Sequence, residues 1–257
     1  MIFESHAHYD DDAFDSDRDS LLASLPQNGI EYLINVSADL DSISSTLALA
    51  HDYPFIFGAV GVHPDGVHLI NEDNFHIIED AALDERIVSI GEIGLDYHYE
   101  DGNSRDLQKK WFIRQVLLAK EINKPIIIHS RDAASDTIDI MNSEDFAGSR
   151  GVIHCYSYTV ETAKQILKHD FYFGVGGVVT FKNARKLVET VEYLPMDRIL
   201  LETDCPYLAP IPFRGERNSS LYLPIIAEKI GQIKGITTEE VIAITNQNAK
   251  RLFFNKE

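Results

Sequence analysis

Histidines and carboxylates stand where short apolar runs of this sequence end. His6 and His8 close the opening run, MIFESHAH, and His63 follows FIFGAVGV. Glu92 lies in IVSIGEIG, His129 ends PIIIHS, His154 lies in GVIHCY, and Asp204 follows ILLET. Imidazole and carboxylate together bind divalent cations, and mixed shells of this kind suit catalytic rather than structural metal sites.

In an extended strand, residues i and i+2 point to one side, so His6 and His8 can bind one metal. An HxH pair alone is a weak signal. Glu92 sits in an apolar, Gly-flanked stretch, where an uncompensated carboxylate is costly. It is read as a metal ligand whose two oxygens can bridge two cations; the alternative is a buried ion pair with Arg131. A lone histidine at a strand end is commonly structural, but His129 and His154 on neighbouring strands weaken that reading. Asp204 is read as a ligand and candidate general base. A helix cap is the alternative, which Pro206 and the Pro-rich loop after it disfavour. Glu202, two residues earlier, is a supporting residue on the same face. The six ligands His6, His8, Glu92, His129, His154 and Asp204 can serve two metals. Such pairs lie about 3.5–4 Å apart, lower the pKa of a shared water and stabilise developing charge on a phosphodiester or an amide. Cys155 and Cys205 each follow a proposed ligand by one residue, so they face away from the site and are read as packing residues.

These residues need elements that bring them together. Eight apolar runs, with little alternation, read as strands covered on both faces: the opening run, then 30–37, 55–62, 87–94, 125–130, 151–156, 171–177 and 199–203. Segments with helical spacing lie between them. The clearest spans 104–124, with Ser104 as its cap and Pro125 as its stop; another ends at Gly29. Two more are expected near 219–233 and 238–252, the latter capped by Thr237 or Thr238 with Glu239 or Glu240. Eight strand–helix units predict an α/β fold, a single-domain (β/α)₈ TIM barrel over 1–257, whose C-terminal rim gathers the ligands. A doubly wound sheet is the rival, but it typically carries a Gly-rich phosphate turn after its first strand, where this chain has HAHYDD.

The chain has 257 residues and a formal net charge of −18, which argues against a broad nucleic-acid-binding surface but not against a local anion site. No apolar run is long enough to span a membrane. The N-terminus has no basic n-region and no apolar h-region, so no secretory signal is expected. With two cysteines, a reducing cytoplasmic location is expected.

The motifs HAHYD (6–10), GVHP (61–64), GEIGLDY (91–97), HSR (129–131), HCYS (154–157), ETDCPYLAP (202–210) and RGERN (214–218) resemble, in this order, the TatD family of metal-dependent deoxyribonucleases in the amidohydrolase superfamily. The resemblance covers essentially the whole chain. It implies a TIM barrel with two divalent ions: one on His6, His8 and Asp204, the other on His129 and His154, with Glu92 bridging. His63 and Arg131 would lie near the substrate. The sequence departs from the family pattern twice. Glu4 stands where Asp is usual, and Ser219-Ser220 where Glu-Pro commonly follows RGERN, in a loop expected to border the substrate.

The expected function is a two-metal 3′–5′ exodeoxyribonuclease acting on single-stranded DNA, using magnesium, manganese or zinc, with no obligatory protein partner. Arg131, Lys182, Arg214 and Arg217 are candidate phosphate contacts, and Tyr97, Tyr156 or Tyr207 candidate stacking faces for bases. The alternative is an amidohydrolase-type enzyme on a small-molecule ester, amide or phosphotriester, or an aminoacyl-tRNA deacylase. Many barrel relatives carry a carboxylated lysine where this chain has Glu92, which favours the nuclease. A non-catalytic metal-binding protein is the third reading.

Overall fold

The computed structural model describes residues 1–99 and 102–255. Eight parallel strands alternate with helices: β1 (Ile2–Ala7), α1 (Arg18–Ser24), β2 (Ile30–Val36), α2 (Leu40–Asp52), β3 (Ile56–Val60), α3 (His76–Ala82), β4 (Ile87–Asp96), α4 (Arg105–Glu121), β5 (Ile126–Arg131), α5 (Ala134–Met141), β6 (Gly151–Ile153), α6 (Val160–Ile166), β7 (Tyr172–Val175), α7 (Arg185–Tyr193), β8 (Ile199–Leu201), α8 (Leu223–Lys234) and α9 (Thr238–Phe254). The strands form one sheet in the order β1 to β8. Ala7, ending β1, bridges in parallel to Cys205, just beyond β8. This is the expected (β/α)₈ fold. The observed strands are shorter than several of the apolar runs, notably β6 and β8, because the runs continue into the loops that carry functional residues. No helix among the described residues is long and apolar enough to cross a membrane.

Residue contacts divide the chain into two compact units. One holds Met1–Asn35, Cys155–Ala163 and the chain from Tyr172 onward; the other holds Val36–His154 and Lys164–Phe171. In the first, α9 packs on β1 and β8. Phe253 stacks on Phe3 with centroids 5.8 Å apart, and Thr237 and Glu240 form the capping box that starts this helix.

In the second unit, α4 starts at Ser104, whose hydroxyl accepts the Leu107 N–H. Its buried face carries Trp111, Phe112 and Val116, with Trp111 stacked on Phe75. The same face carries two buried glutamines seven residues apart, a spacing of about two helical turns. The Gln108 amide pairs with the N–H and carbonyl of Asp96 at 2.8 and 2.9 Å. The Gln115 amide pairs with those of Val62 at 2.8 and 3.2 Å. A buried backbone amide costs free energy unless it is hydrogen-bonded. One helix thus fixes both the end of β4 and the chain leading to His63.

Candidate metal-binding sites

The first unit brings His6, His8 and Asp204 together. The Nε2 atoms of His6 and His8 are 3.1 Å apart, and Asp204 Oδ1 lies 3.6 Å from His6 Nε2 and 3.4 Å from His8 Nε2. Two hydrogen bonds tie the HxH strand to the Asp204 turn. Asp204 N–H donates to the His6 carbonyl at 3.0 Å, and His8 N–H to the Cys205 carbonyl at 2.8 Å. Asp204 is in the left-handed region, φ 61°, a conformation that aspartate tolerates better than most residues. Its buried neighbour Thr203 is held on one side by Glu4 and on the other by Asn218, whose side-chain amide donates to the Thr203 carbonyl at 2.9 Å. Asn218 of the RGERN motif is therefore structural.

The second unit gathers Glu92, His129 and His154. Glu92 Oε1 is 2.8 Å from His129 Nδ1 and 2.6 Å from His154 Nε2, and the two ring nitrogens are 3.2 Å apart. Glu92 thus pairs with histidines rather than with Arg131, whose guanidinium lies 5.4 Å from the Tyr99 ring. A Cβ on Gly94 would run into the His129 carbonyl oxygen, and Gly94 has φ 145°. Glycine there lets β4 approach β5 closely enough for Glu92 to meet His129.

Asp96 was not singled out by the sequence. Its Oδ2 is 3.1 Å from His129 Nε2. A carboxylate on the far nitrogen fixes the tautomer and orientation of a ligating imidazole. Asp96 lies four residues beyond Glu92 on the same strand, so i, i+2, i+4 spacing was the available signal. Burial opposes charge on His129, but the hydrogen bonds to Asp96 and Glu92 prevail and raise its pKa to about 9. Burial likewise opposes ionisation of Asp96, but its bonds to His129 and to His98 N–H hold its carboxyl below the usual value.

His63 packs its ring against His129, with centroids 4.3 Å apart, and its Nε2 is 4.0 Å from Glu92 Oε1. Burial first, and then repulsion from His129, lowers its pKa to about 4. Its Nδ1 accepts the Asp65 N–H at 3.2 Å, which leaves the ring proton of the neutral imidazole on Nε2, on the Glu92 side.

Several of the expected contact residues have partners within the fold. Arg217 forms a bidentate pair with Asp17, at 2.6 and 2.7 Å, donates to the Ala13 carbonyl and covers the Phe14 ring. Its fork is engaged within the fold by these contacts. Arg214 lies 4.4 Å over the Phe181 ring. Tyr156 is buried and donates to the Thr159 carbonyl, so no base can stack on it. Tyr207 is exposed and donates to Asp11 at 2.8 Å, while Tyr97 donates to Asp136 at 2.7 Å. Glu202 is buried, and its Oε1 accepts the Cys155 N–H at 2.5 Å. A Cβ on Gly174 would collide with the Glu202 carboxylate, so this support requires glycine there. Ser220, expected in a loop bordering the substrate, is fully buried and bonded to Glu4 and Tyr9. Cys205 is buried as a packing residue, and Cys155 and Cys205 form no disulfide.

Both clusters fit a divalent ion. Metal–ligand bonds of about 2.0–2.2 Å place neighbouring donors about 3–3.5 Å apart. The first cluster, at 3.1–3.6 Å, is close to that spacing; the second, at 2.6–3.2 Å, is tighter because Glu92 Oε1 is within hydrogen-bonding distance of both histidines, and its donors would have to part slightly around an ion. Each offers two imidazoles and one carboxylate. That set suits zinc or manganese and leaves coordination positions for water or substrate.

The profile of a family described as TatD related DNase matches residues 3–254. The Bacillus subtilis protein YabD, described as an uncharacterized metal-dependent hydrolase, is 41% identical over 253 residues, covering 98% of this chain and 99% of that protein. Escherichia coli YcfH, described in the same words, is 35% identical, covering 98% of this chain and 96% of that protein. Among solved structures, the TatD homologue YjjV of Escherichia coli superposes with a TM-score of 0.92 at 25% identity, covering 100% of this chain and 98% of that one.

Proposed function

The chain belongs to the TatD-related DNase family of metal-dependent hydrolases, and on that premise we propose that it is a two-metal exodeoxyribonuclease that shortens single-stranded DNA from its 3′ end. The observation that carries this reading is the presence of two clusters with the same donors, His6–His8–Asp204 and Glu92–His129–His154, each compact enough for one ion. When bound, divalent ions lower the pKa of an attacking water and neutralise charge on a phosphodiester. Asp204 is assigned the proton of that water, because its carboxylate faces both histidines of the first cluster. Asp96, bonded to the Nε2 of His129, would keep the Nδ1 of that ring turned toward Glu92 and His154. His63 is assigned the donation of its Nε2–H to a phosphate oxygen, a role supported by its position beside Glu92. Arg131 follows His129 by two residues in β5 and so leaves the strand on the same side; a guanidinium there suits a phosphate.

The net charge of −18 and the engagement of Arg217 with Asp17 favour a flexible strand end over an extended duplex. They also support hydrolysis of a small phosphoester or amide as a second reading. Two unlinked thiols suit the cytoplasm, where we place the protein.

The test uses end-labelled single-stranded DNA with metal-stripped protein, restoring magnesium, manganese or zinc separately. Metal-dependent shortening from the 3′ end is expected. Asp204→Asn should abolish it while leaving the circular dichroism spectrum unchanged. No shortening by fully metal-loaded protein would reject the nuclease in favour of the small-substrate hydrolase.

A further inference from the structure

Glu4 is fully buried beneath the first cluster, and its carboxylate receives four hydrogen bonds. His6 N–H reaches Oε1 at 3.3 Å, and Thr203 N–H the same oxygen at 2.9 Å. The Thr203 hydroxyl donates to Oε2 at 2.7 Å, and the Ser220 hydroxyl at 2.9 Å. Ser220 is held in turn by buried Tyr9. The Tyr9 hydroxyl donates to Ser220 Oγ at 3.0 Å and accepts the Ser220 N–H at 2.9 Å. These contacts form a chain from Tyr9 to Ser220 to Glu4. The residues Glu4 fixes are a metal-ligand candidate itself, His6, and the immediate neighbour of another, Thr203 beside Asp204. The two departures from the family pattern, at 4 and at 219–220, are therefore the two ends of one hydrogen bond.

We propose that Glu4 and Ser220 act as a single positioning unit for the first cluster, setting the register between the HxH strand and the Asp204 turn and thereby the affinity of that cluster for its metal. The physical reason is reach. Glutamate is one methylene longer than aspartate, so its far oxygen extends past the strand by about 1.5 Å and requires a donor there. Ser220 supplies that donor, and Tyr9 fixes the hydroxyl's direction. Buried networks of this kind tolerate a single loss poorly, because the remaining partner is left desolvated without its hydrogen bond. The inference rests on reading His6, His8 and Asp204 as metal ligands. It does not depend on which substrate is hydrolysed.

The test measures metal binding rather than turnover. Wild type, Glu4→Asp, Ser220→Ala and the double variant are titrated with manganese, counting ions per chain by mass spectrometry and following affinity with a chelator. His129→Ala, which disables the second cluster, serves as the background that isolates the first. Each single variant should weaken first-cluster affinity by about 10–100-fold, the usual effect of removing a residue that orients a ligand. The double variant should be no worse than the weaker single one, since both break the same bond. A network serving stability alone would lower the melting temperature and leave the affinity of the folded protein unchanged; that result, or strictly additive losses, overturns the proposal. Should Glu4→Asp fail to fold, Ser220→Ala against Ser220→Thr, which keeps the hydroxyl, carries the test: the threonine variant must bind more tightly than the alanine. If His8→Ala leaves manganese binding in the His129→Ala background unchanged, the ligand reading itself fails, an outcome distinct from failure of the positioning unit.

Discussion

On the proposed reading of Glu92, His129 and His154 as metal ligands, the raised pKa of His129 makes metal binding there a competition with a proton. Its value of about 9 in the metal-free protein, against an ordinary 6.5, comes from hydrogen bonds to Asp96 and Glu92 that outweigh burial. A ligating imidazole must release its proton, so binding releases protons and strengthens with pH. For a group at about 9, the proton lowers apparent affinity about a hundredfold at pH 7 and about fourfold at pH 8.5, a gain of about 25-fold across that range. With the first cluster disabled by His8→Ala, manganese titrations from pH 7 to 8.5 read the second cluster directly. Calorimetry in two buffers of different ionisation enthalpy should give close to one proton released per ion at pH 7. An affinity flat over this range, with no proton release, would refute the reasoning. Linkage sets the matching sign for folding. His129 has its folded pKa raised above the unfolded one, so its contribution to the stability of the metal-free protein is fully present below about pH 6.5 and is lost as pH rises through about 9.

Arg217→Ala should lower the melting temperature, because it removes the fork to Asp17 and the cover over Phe14, and leave KM for single-stranded DNA unchanged; a large rise in KM with unaltered melting would restore a substrate role. Trp111→Ala deletes a buried ring stacked on Phe75 and should cost about 3–5 kcal/mol in urea denaturation at equal metal occupancy. A loss under 1 kcal/mol would show that the site collapses around the gap. Gly94→Ala forces a methyl against the His129 carbonyl, so manganese binding at the proposed Glu92–His129–His154 cluster should be lost while binding at His6–His8–Asp204 is kept, as ions counted per chain by mass spectrometry would show.

Side-chain chemistry at strand ends is legible because it is local. The spacing of His6 and His8, the carboxylate in IGEIG, and the histidines closing two apolar runs all follow from a period of two and from the cost of burying charge. Helix starts at Ser104 and Thr237 were equally local, since a cap is set by residues three positions apart. The pattern of eight runs carried the fold class as well. Partner choice was not legible. Glu4 meets Thr203 and Ser220 across about 200 residues of chain, Arg217 meets Asp17 across a similar span, and Gln108 and Gln115 reach back to the ends of other strands. An arginine in a rim loop reads identically whether a phosphate or an aspartate awaits it, and a serine identically whether it borders solvent or lies beneath a metal ligand. Those outcomes depend on which segments approach to within 3 Å, a distance that packing sets and that local sequence does not encode. The sequence by itself determined the candidate donors, the strands that present them and the hydrolase class they suit; the tertiary structure alone decided that Asp96 meets His129, that Arg217 pairs with Asp17, and that Glu4 and Ser220 share one bond.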